Sequence, residues 1–135
     1  MNLVDTSAWL EYFFEGPNAQ YFAAPIEATD TLLVSVVSLY EVFKKVNTVA
    51  DEDRALQAVA QMKKGRVEEI TESIALSAAL ISIKHKIAMA DSLILATARQ
   101  CKAVLWTQDK DFRGMLDVNF KPAARRQTTP SRRSP

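Results

Sequence analysis

Short apolar runs alternate along this chain with longer stretches that mix apolar and polar residues. The apolar runs predict strands, because a strand buried in a parallel sheet reads as a continuous apolar segment. The predicted strands are residues 3–4, 31–36, 66–70, 103–106 and 118–120. The predicted helices are residues 8–14, 18–28, 38–46, 51–64, 71–86, 88–100 and 112–116. This alternation indicates an α/β fold, a three-layer α/β/α sandwich with a mainly parallel sheet of four to five strands.

Hydroxyl residues mark several of the predicted helix starts, since their oxygens accept hydrogen bonds from free backbone amides in the first turn. Thr6 and Ser7 are predicted N-caps after the first strand, Ser38 after the second and Thr71 after the third. Gly65 is predicted to end the helix that precedes the third strand. Local chemistry therefore supports the boundaries that the apolar pattern suggests.

Length and charge divide the 135 residues into a folded domain at 1–120 and a tail at 121–135. The tail carries five basic residues and no acid, hence +5, whereas the first 120 residues carry 12 basic and 16 acidic groups, hence −4. Its polar, proline-bearing composition predicts disorder. The tail is then either a solvated end or an arm that binds phosphate groups.

The scarcity of Cys and His limits the chemistry that the chain can support. Cys101 is alone, which excludes an internal disulfide and fits a reducing, cytoplasmic location. One Cys and one His cannot form a zinc site of the usual kind, so a bound metal is expected to use carboxylates. No apolar run approaches the roughly 20 residues of a membrane span, and we predict neither a membrane segment nor a signal peptide.

Three acidic residues follow predicted strands, at the edge of a parallel sheet where ligands bind. Asp5 directly follows the first strand, Glu41 lies five residues after Val36, and Asp109 lies three residues after Trp106. Because right-handed crossovers keep parallel strands pointing the same way, we expect these carboxylates to reach the same edge. Each could instead have an ordinary role, since acids favour first helical turns and Asp favours polar turns.

Asp91 requires a different argument, because no strand precedes it. It stands in the first turn of the helix predicted at 88–100, and periodicity alone does not establish that it reaches the same edge. Several carboxylates in one pocket repel one another unless a cation or proton neutralises them. Mg²⁺ prefers such oxygens, and two ions about 4 Å apart can activate a water and stabilise the leaving oxygen of a phosphodiester. Metal-assisted hydrolysis is therefore the chemistry that these acids favour.

Four segments resemble the motifs of the PIN domains and, within them, of the VapC-like toxin ribonucleases. They are Val4-Asp5-Thr6-Ser7-Ala8, Ser38-Leu39-Tyr40-Glu41-Val42, the Ala90-Asp91 helix start within residues 87–98, and Thr107-Gln108-Asp109-Lys110-Asp111-Phe112. They occur in order and span residues 4–112. The resemblance implies a PIN-like fold and an endoribonuclease that hydrolyses RNA phosphodiester bonds with metal-activated water.

The resemblance also implies roles for individual residues and partners. The Mg²⁺ or Mn²⁺ ligands and catalytic acids would be Asp5, Glu41, Asp91 and Asp109. The supporting residues would be Thr6, Ser7 and Thr107, with Asp111 assisting or replacing Asp109. Such proteins are typically homodimeric toxins of VapBC-type pairs, each neutralised by a cognate antitoxin whose C-terminal segment occludes the acids.

Two other classes of protein compete with this interpretation. One is a catalytically silent PIN-like module that binds RNA or protein without turnover. The other is a small-molecule phosphohydrolase or receiver domain, which also places an Asp after the first strand. Asp5-Thr6-Ser7 lacks the Asp-x-Asp of haloacid-type phosphatases, and the third strand is followed by Thr71-Glu72 instead of the phosphorylated Asp of a receiver. We therefore favour the nuclease.

Overall fold

Five strands form one sheet in the computed structural model, which describes residues 1–124. The strands are β1 (Asn2–Val4), β2 (Leu32–Ser35), β3 (Arg66–Glu68), β4 (Val104–Thr107) and β5 (Val118–Phe120). Their order across the sheet is β3-β2-β1-β4-β5, and all four neighbouring pairs are parallel. The central position of β1 places the residue that follows it, Asp5, at the middle of the carboxyl edge.

Six α-helices cover the two faces of this sheet. They are α1 (Thr6–Phe13), α2 (Ala19–Glu27), α3 (Val36–Val49), α4 (Glu52–Met62), α5 (Glu72–His85) and α6 (Met89–Gln100). Leu3 packs in a core cluster with residues of α5 and α6, whereas its neighbour Val4 packs with residues of α1 to α4. Successive strand residues point to opposite faces, so the sheet has a core on each side. The predicted three-layer parallel sandwich is confirmed.

The helices α5 and α6 pack against each other but differ in how far they are buried. α6 buries six residues, whereas α5 leaves Leu76, Leu80 and Ile83 exposed. Within the described residues, no single helix has the length and apolar composition to cross a membrane. α5 and α6 meet these two criteria only as a pair with a bend of 118° between them.

The first predicted helix caps are wrong. α1 begins at Thr6, and its N-cap is Asp5, whose carboxylate accepts a hydrogen bond from the Ala8 amide. The backbone of Asp5 is extended, as an N-cap requires, so the strand passes into the helix at the acid itself. Thr6 and Ser7 consequently lie inside the first turn, and their hydroxyls are available to the side chains around Asp5.

The second predicted cap is also displaced. β2 ends at Ser35, which caps α3 by accepting a hydrogen bond from the Val37 amide, so Ser38 is an internal and buried residue of α3. Thr71 caps α5 as predicted, by accepting from the Ile74 amide. Ser35 lies three residues before Ser38 and offers the same hydroxyl, which is why the spacing alone misplaced this boundary.

Two further differences concern the ends of elements. The helix predicted at 112–116 is instead a 3₁₀ turn at Lys110–Phe112. α4 ends at Met62, and Gly65 follows it in a tight approach to β2, where an added Cβ would lie 2.8 Å from the Leu32 side chain. The predicted domain at 1–120 and tail at 121–135 stay predictions, because residues 125–135 lie outside the described residues.

Candidate active site

Asp5 occupies the centre of the carboxyl edge and is held by hydrogen bonds on both of its carboxylate oxygens. Its side chain is buried at 2% exposure. Oδ1 accepts from the Ser7 hydroxyl at 2.8 Å and from the Ala8 amide at 3.1 Å, and Oδ2 accepts from the Thr107 hydroxyl at 2.7 Å. The Asp5 amide donates to the Trp106 carbonyl, which ties the end of β1 to β4. This carboxylate therefore has one orientation.

Burial raises the pKa of Asp5 from 3.8 to about 6. The hydrogen bonds from Thr107, Ala8 and Ser7 oppose that rise because they stabilise the charged form, and the nearby charge of Asp109 adds to it. The net effect disfavours the charged carboxylate relative to water, and a positive charge nearby would stabilise it.

Asp109 and Asp111 lie in the loop that leaves β4. The Asp109 amide donates to the Thr107 hydroxyl at 2.9 Å, and Asp109 Oδ1 accepts from the Asp111 amide at 2.9 Å, which caps the 3₁₀ turn. Thr107 therefore accepts from one acid's backbone and donates to the side chain of Asp5. The Thr107 hydroxyl thus links the Asp5 carboxylate to the loop that follows β4.

Asp91 enters the site from the first turn of α6, and its carboxylate lies among those of the other acids. One carboxylate oxygen each from Asp91, Asp109 and Asp111 lies within 4.8 Å of the others. The pKa of Asp91 is raised from 3.8 to about 7, chiefly by burial and then by the charges of four neighbours. Those neighbours, from the largest effect to the smallest, are Asp109, Asp5, Glu41 and Asp111.

Glu41 reaches the site from the second turn of α3. Its Oε1 accepts from the Thr6 hydroxyl at 2.5 Å, and Thr6 Oγ1 lies 3.1 Å from the Ser38 hydroxyl. The side chains of α1 and α3 are thereby joined beside the acids. Ser38, which the sequence predicted as a cap, instead supports the hydroxyl that orients Glu41.

The structure brings all the predicted site residues to one edge but groups the acids unevenly. The closest group contains Asp111 with Asp91 and Asp109, whereas Asp5 and Glu41 stand beside it. Sequence reasoning assigned Asp111 only a supporting place. The catalytic and metal-binding roles of these residues stay predictions.

The donor set fits a hard divalent cation. Within residues 1–124, the ion pairs are Arg54–Asp51 and Arg66–Glu68, and neither involves an acid of this site. Close carboxylates without a basic partner repel one another, and oxygen ligands of this kind suit Mg²⁺ or Mn²⁺. Asp91, Asp109 and Asp111 are the residues that would hold such an ion.

A polar network behind the site was not predicted from the sequence. The Gln108 amide group donates to Glu11 Oε1 at 3.3 Å, and its carbonyl accepts from the side chain of Asn18 at 3.1 Å. The backbone amide of Asn18 donates to Glu11 Oε2 at 2.6 Å. An added Cβ on Gly16 would collide with the Glu11 carboxylate, so glycine makes this approach possible. The network anchors the residue between Thr107 and Asp109.

A family model identifies the fold that this edge belongs to. The model for the PIN domain matches residues 3–115. The chain belongs to the PIN domain family. The resemblance that the four motifs carry is thereby confirmed at the level of the family, and the matched residues include every acid of the site. No curated protein sequence matches the chain.

Solved structures show the same fold. A toxin–antitoxin complex from Klebsiella pneumoniae is 24% identical, with a TM-score of 0.72 over 88% of this PIN domain chain and 96% of the other. VapC20 from Mycobacterium tuberculosis, a sarcin–ricin loop cleaving toxin, is 20% identical, with a TM-score of 0.72 over 87% and 98%. FitAcB from Neisseria gonorrhoeae is 25% identical, with a TM-score of 0.69 over 90% and 98%. The predicted likeness to VapC-like toxins is thus found in the fold.

Proposed function

We propose that this PIN domain is an endoribonuclease that depends on Mg²⁺ or Mn²⁺ and acts as the toxin of a VapBC-type pair. The observation that carries the proposal is the convergence of five carboxylates at the carboxyl edge of the sheet, without a basic partner among the described residues. These are Asp5, Glu41, Asp91, Asp109 and Asp111. A phosphodiester is the substrate class that such a site suits once a cation is bound.

Each side chain has a separate task in this proposal. Asp91, Asp109 and Asp111 would hold the ion, and Asp5 would face it with an orientation set by Ser7 and Thr107. A bound ion would supply positive charge to the phosphate and lower the pKa of water. Glu41, oriented by the Thr6 hydroxyl, would complete the acidic wall on the α3 side.

Water is the expected nucleophile because the described residues offer no better one. The Ser7 and Thr107 hydroxyls already donate to Asp5. Cys101 follows the last residue of α6, about 15 Å of helix from Asp91, and its thiol contacts Glu68. Burial also raises the pKa of the Cys101 thiol, which lowers its reactivity. The acids themselves are thus left to position a water.

Similar folds support the proposed partners. The Klebsiella structure is a toxin–antitoxin complex and VapC20 cleaves the sarcin–ricin loop, which supports an antitoxin partner and an RNA substrate here. The exposed stripe of Leu76, Leu80 and Ile83 on α5 supports a homodimer, because these residues share one helix face. A cytoplasmic location stays a prediction.

Cleavage of a mixed RNA pool by the purified chain tests the proposal. We expect cutting with Mg²⁺ or Mn²⁺, none with EDTA, and a loss of more than about 100-fold in Asp91→Asn, since even outer-shell partners of metals contribute about 10–100-fold. Asp53→Asn is the matched control, because Asp53 is an exposed first-turn acid of α4. The control should cut like the wild type.

Two outcomes would contradict the proposal. Cutting that persists in Asp91→Asn would remove this residue from the site. A folded wild type that binds the cation and cuts no RNA would instead support the catalytically silent PIN-like module, whose activity is to bind RNA or protein.

A further inference from the structure

A groove of about 450 Å³ leaves the acidic site along α3. Glu41 and Thr6 form its inner end, and Tyr40, Lys44 and Lys45 line it further out. A second groove of about 750 Å³ adjoins it and shares Tyr40, Lys44 and Thr48. An extended molecule that leaves the site beside Glu41 would therefore meet Tyr40, Lys44 and Lys45.

The two lysines provide exposed positive charge next to the acids. Lys44 and Lys45 are both exposed, and neither belongs to an ion pair among residues 1–124. Lys45 lies one helical turn beyond Glu41, about 6 Å along the axis, and Lys44 lies the same distance beyond Tyr40. The groove thus changes from negative to positive within one turn of α3.

Tyr40 presents an exposed aromatic ring in the same groove. Its side chain is 65% exposed, although aromatic residues usually bury most of their surface. The Lys44 ammonium lies 5.8 Å from the ring centroid, within the range of a cation–π contact. An aromatic face beside cationic groups is the combination that proteins use to bind single-stranded nucleic acid.

We propose that single-stranded RNA next to the scissile phosphate lies in this groove, with a base stacked on Tyr40 and phosphates contacted by Lys44 and Lys45. The inference rests on the proposed nuclease function and names the residues that hold its substrate. Five carboxylates repel the RNA backbone, so affinity must come from cationic contacts outside them. These lysines are the basic residues that line the groove at Glu41.

A protein segment is the competing occupant. Leu39, Phe43 and Val59 line the outer groove and offer apolar contacts that a peptide could use. RNA is favoured in the groove next to the site, because the Tyr40 ring and both lysines line it together with Glu41, an acid of the site. Binding of a protein in place of RNA is therefore an outcome that the experiment must detect.

RNA binding is measured with a fluorescent single-stranded RNA and Mg²⁺, in the Asp91→Asn background that prevents cutting. We expect Lys44→Gln with Lys45→Gln to lower affinity roughly tenfold and to reduce the salt slope by about 1.4, since each phosphate contact on a single strand contributes about 0.7. Lys63→Gln with Lys64→Gln is the matched control. These exposed lysines lie before β3, at the opposite edge of the sheet, and their loss should change neither quantity.

Tyr40 is tested by two substitutions in the same background. Tyr40→Ala should lower affinity by at least about fivefold, because stacking on one aromatic ring contributes about 1–3 kcal/mol per base. Tyr40→Phe keeps the ring and should bind like the parent. Thermal melting of each variant checks that the exposed substitutions leave the fold intact, and a duplex of the same sequence should bind less well because its bases are already stacked.

Failure of this inference is distinguishable from failure of the proposed function. Equal RNA affinity of the Lys44/Lys45 and Lys63/Lys64 variants, together with equal cutting when the same substitutions are made in the wild type, would overturn the groove assignment while the nuclease stands. Unchanged RNA affinity together with lost binding of a co-purifying protein would assign the groove to a protein partner instead. Absence of RNA cutting by the wild type would count against the nuclease itself.

Discussion

Asp5 and Asp91 are both carboxylates of the same site, and their surroundings differ. Asp5 is buried at the end of a strand and accepts three hydrogen bonds. Asp91 is half-buried at the start of a helix, and none of the described side-chain hydrogen bonds reaches its carboxylate. Burial, followed by the charges of four neighbouring acids, raises its pKa. The fold therefore fixes the orientation of the Asp5 carboxylate, whereas it places the Asp91 carboxylate close to other negative charges.

The two acids therefore differ in what they contribute to the stability of the fold. The hydrogen bonds of Asp5 hold α1 and β4 together, so its carboxylate contributes to the fold and to the site. Among the described residues, no side-chain hydrogen bond or ion pair stabilises the charge of Asp91, and its raised pKa means that this charge is unfavourable in the metal-free protein at neutral pH. Such an unfavourable carboxylate is expected at a cation site, because the bound cation needs negative charge around it.

Alanine substitutions of Asp5 and Asp91 should give the largest difference in stability. In EDTA at neutral pH, the free energy of unfolding of Asp5→Ala should be about 2 kcal/mol below that of Asp91→Ala, since a lost N-cap and an unpaired buried hydroxyl cost about 1 kcal/mol each. Urea denaturation of both variants measures the difference. Equal stabilities would mean that the hydrogen bonds at Asp5 contribute nothing measurable.

The pH dependence of stability should show the crowding of Asp91. Its pKa is about 7 in the folded protein against 3.8 in the unfolded chain, so the folded state binds a proton that the unfolded state lacks between these values. Stability should therefore fall as pH rises from about 4 through about 7 in EDTA, more steeply in the wild type than in Asp91→Asn. Thermal melting across this range measures the effect, and Mg²⁺ should raise the wild-type Tm at neutral pH but not that of the variant. Parallel pH profiles would contradict the argument.

Thr107 should have the smallest effect, because it contributes one hydroxyl to the site. Thr107→Val removes the donor to Asp5 and the acceptor for the Asp109 amide, and should lower the free energy of unfolding by about 1 kcal/mol. Thr107→Ser keeps the hydroxyl and should recover most of that loss. Chemical denaturation with and without Mn²⁺ tests both, and a serine variant as unstable as the valine one would attribute the effect to lost packing.

Much of the site was predictable because it follows from local pattern and one topological rule. Apolar runs identify β1, β2 and β4, and parallel strands present their carboxyl ends at one edge. Chain order and strand direction are therefore enough to bring Asp5, Glu41 and Asp109 near one another. The helix starts are less determined, since several neighbouring residues offer equivalent caps.

Other features depend on contacts between residues far apart in the chain. Asn18 meets Gln108 across 90 positions, and Ser7 meets Gln108 across 101. Neither periodicity nor composition predicts these contacts, because the contacts form only when α1 and the loop after β4 lie at the same edge of the sheet. Gly16 illustrates this, since its lack of a Cβ matters only beside the folded-back carboxylate of Glu11.

The sequence by itself determined the alternating elements, the parallel sheet and the placement of the acids that follow strands, because these depend on short-range pattern and on chain direction. Only the tertiary structure decided that α6 brings Asp91 against Asp109 and Asp111, because no strand leads into that helix and its position depends on packing against α5 and the sheet. The raised pKa of Asp91 follows from the same packing, since both its burial and the repulsion from the other carboxylates exist only once the chain has folded.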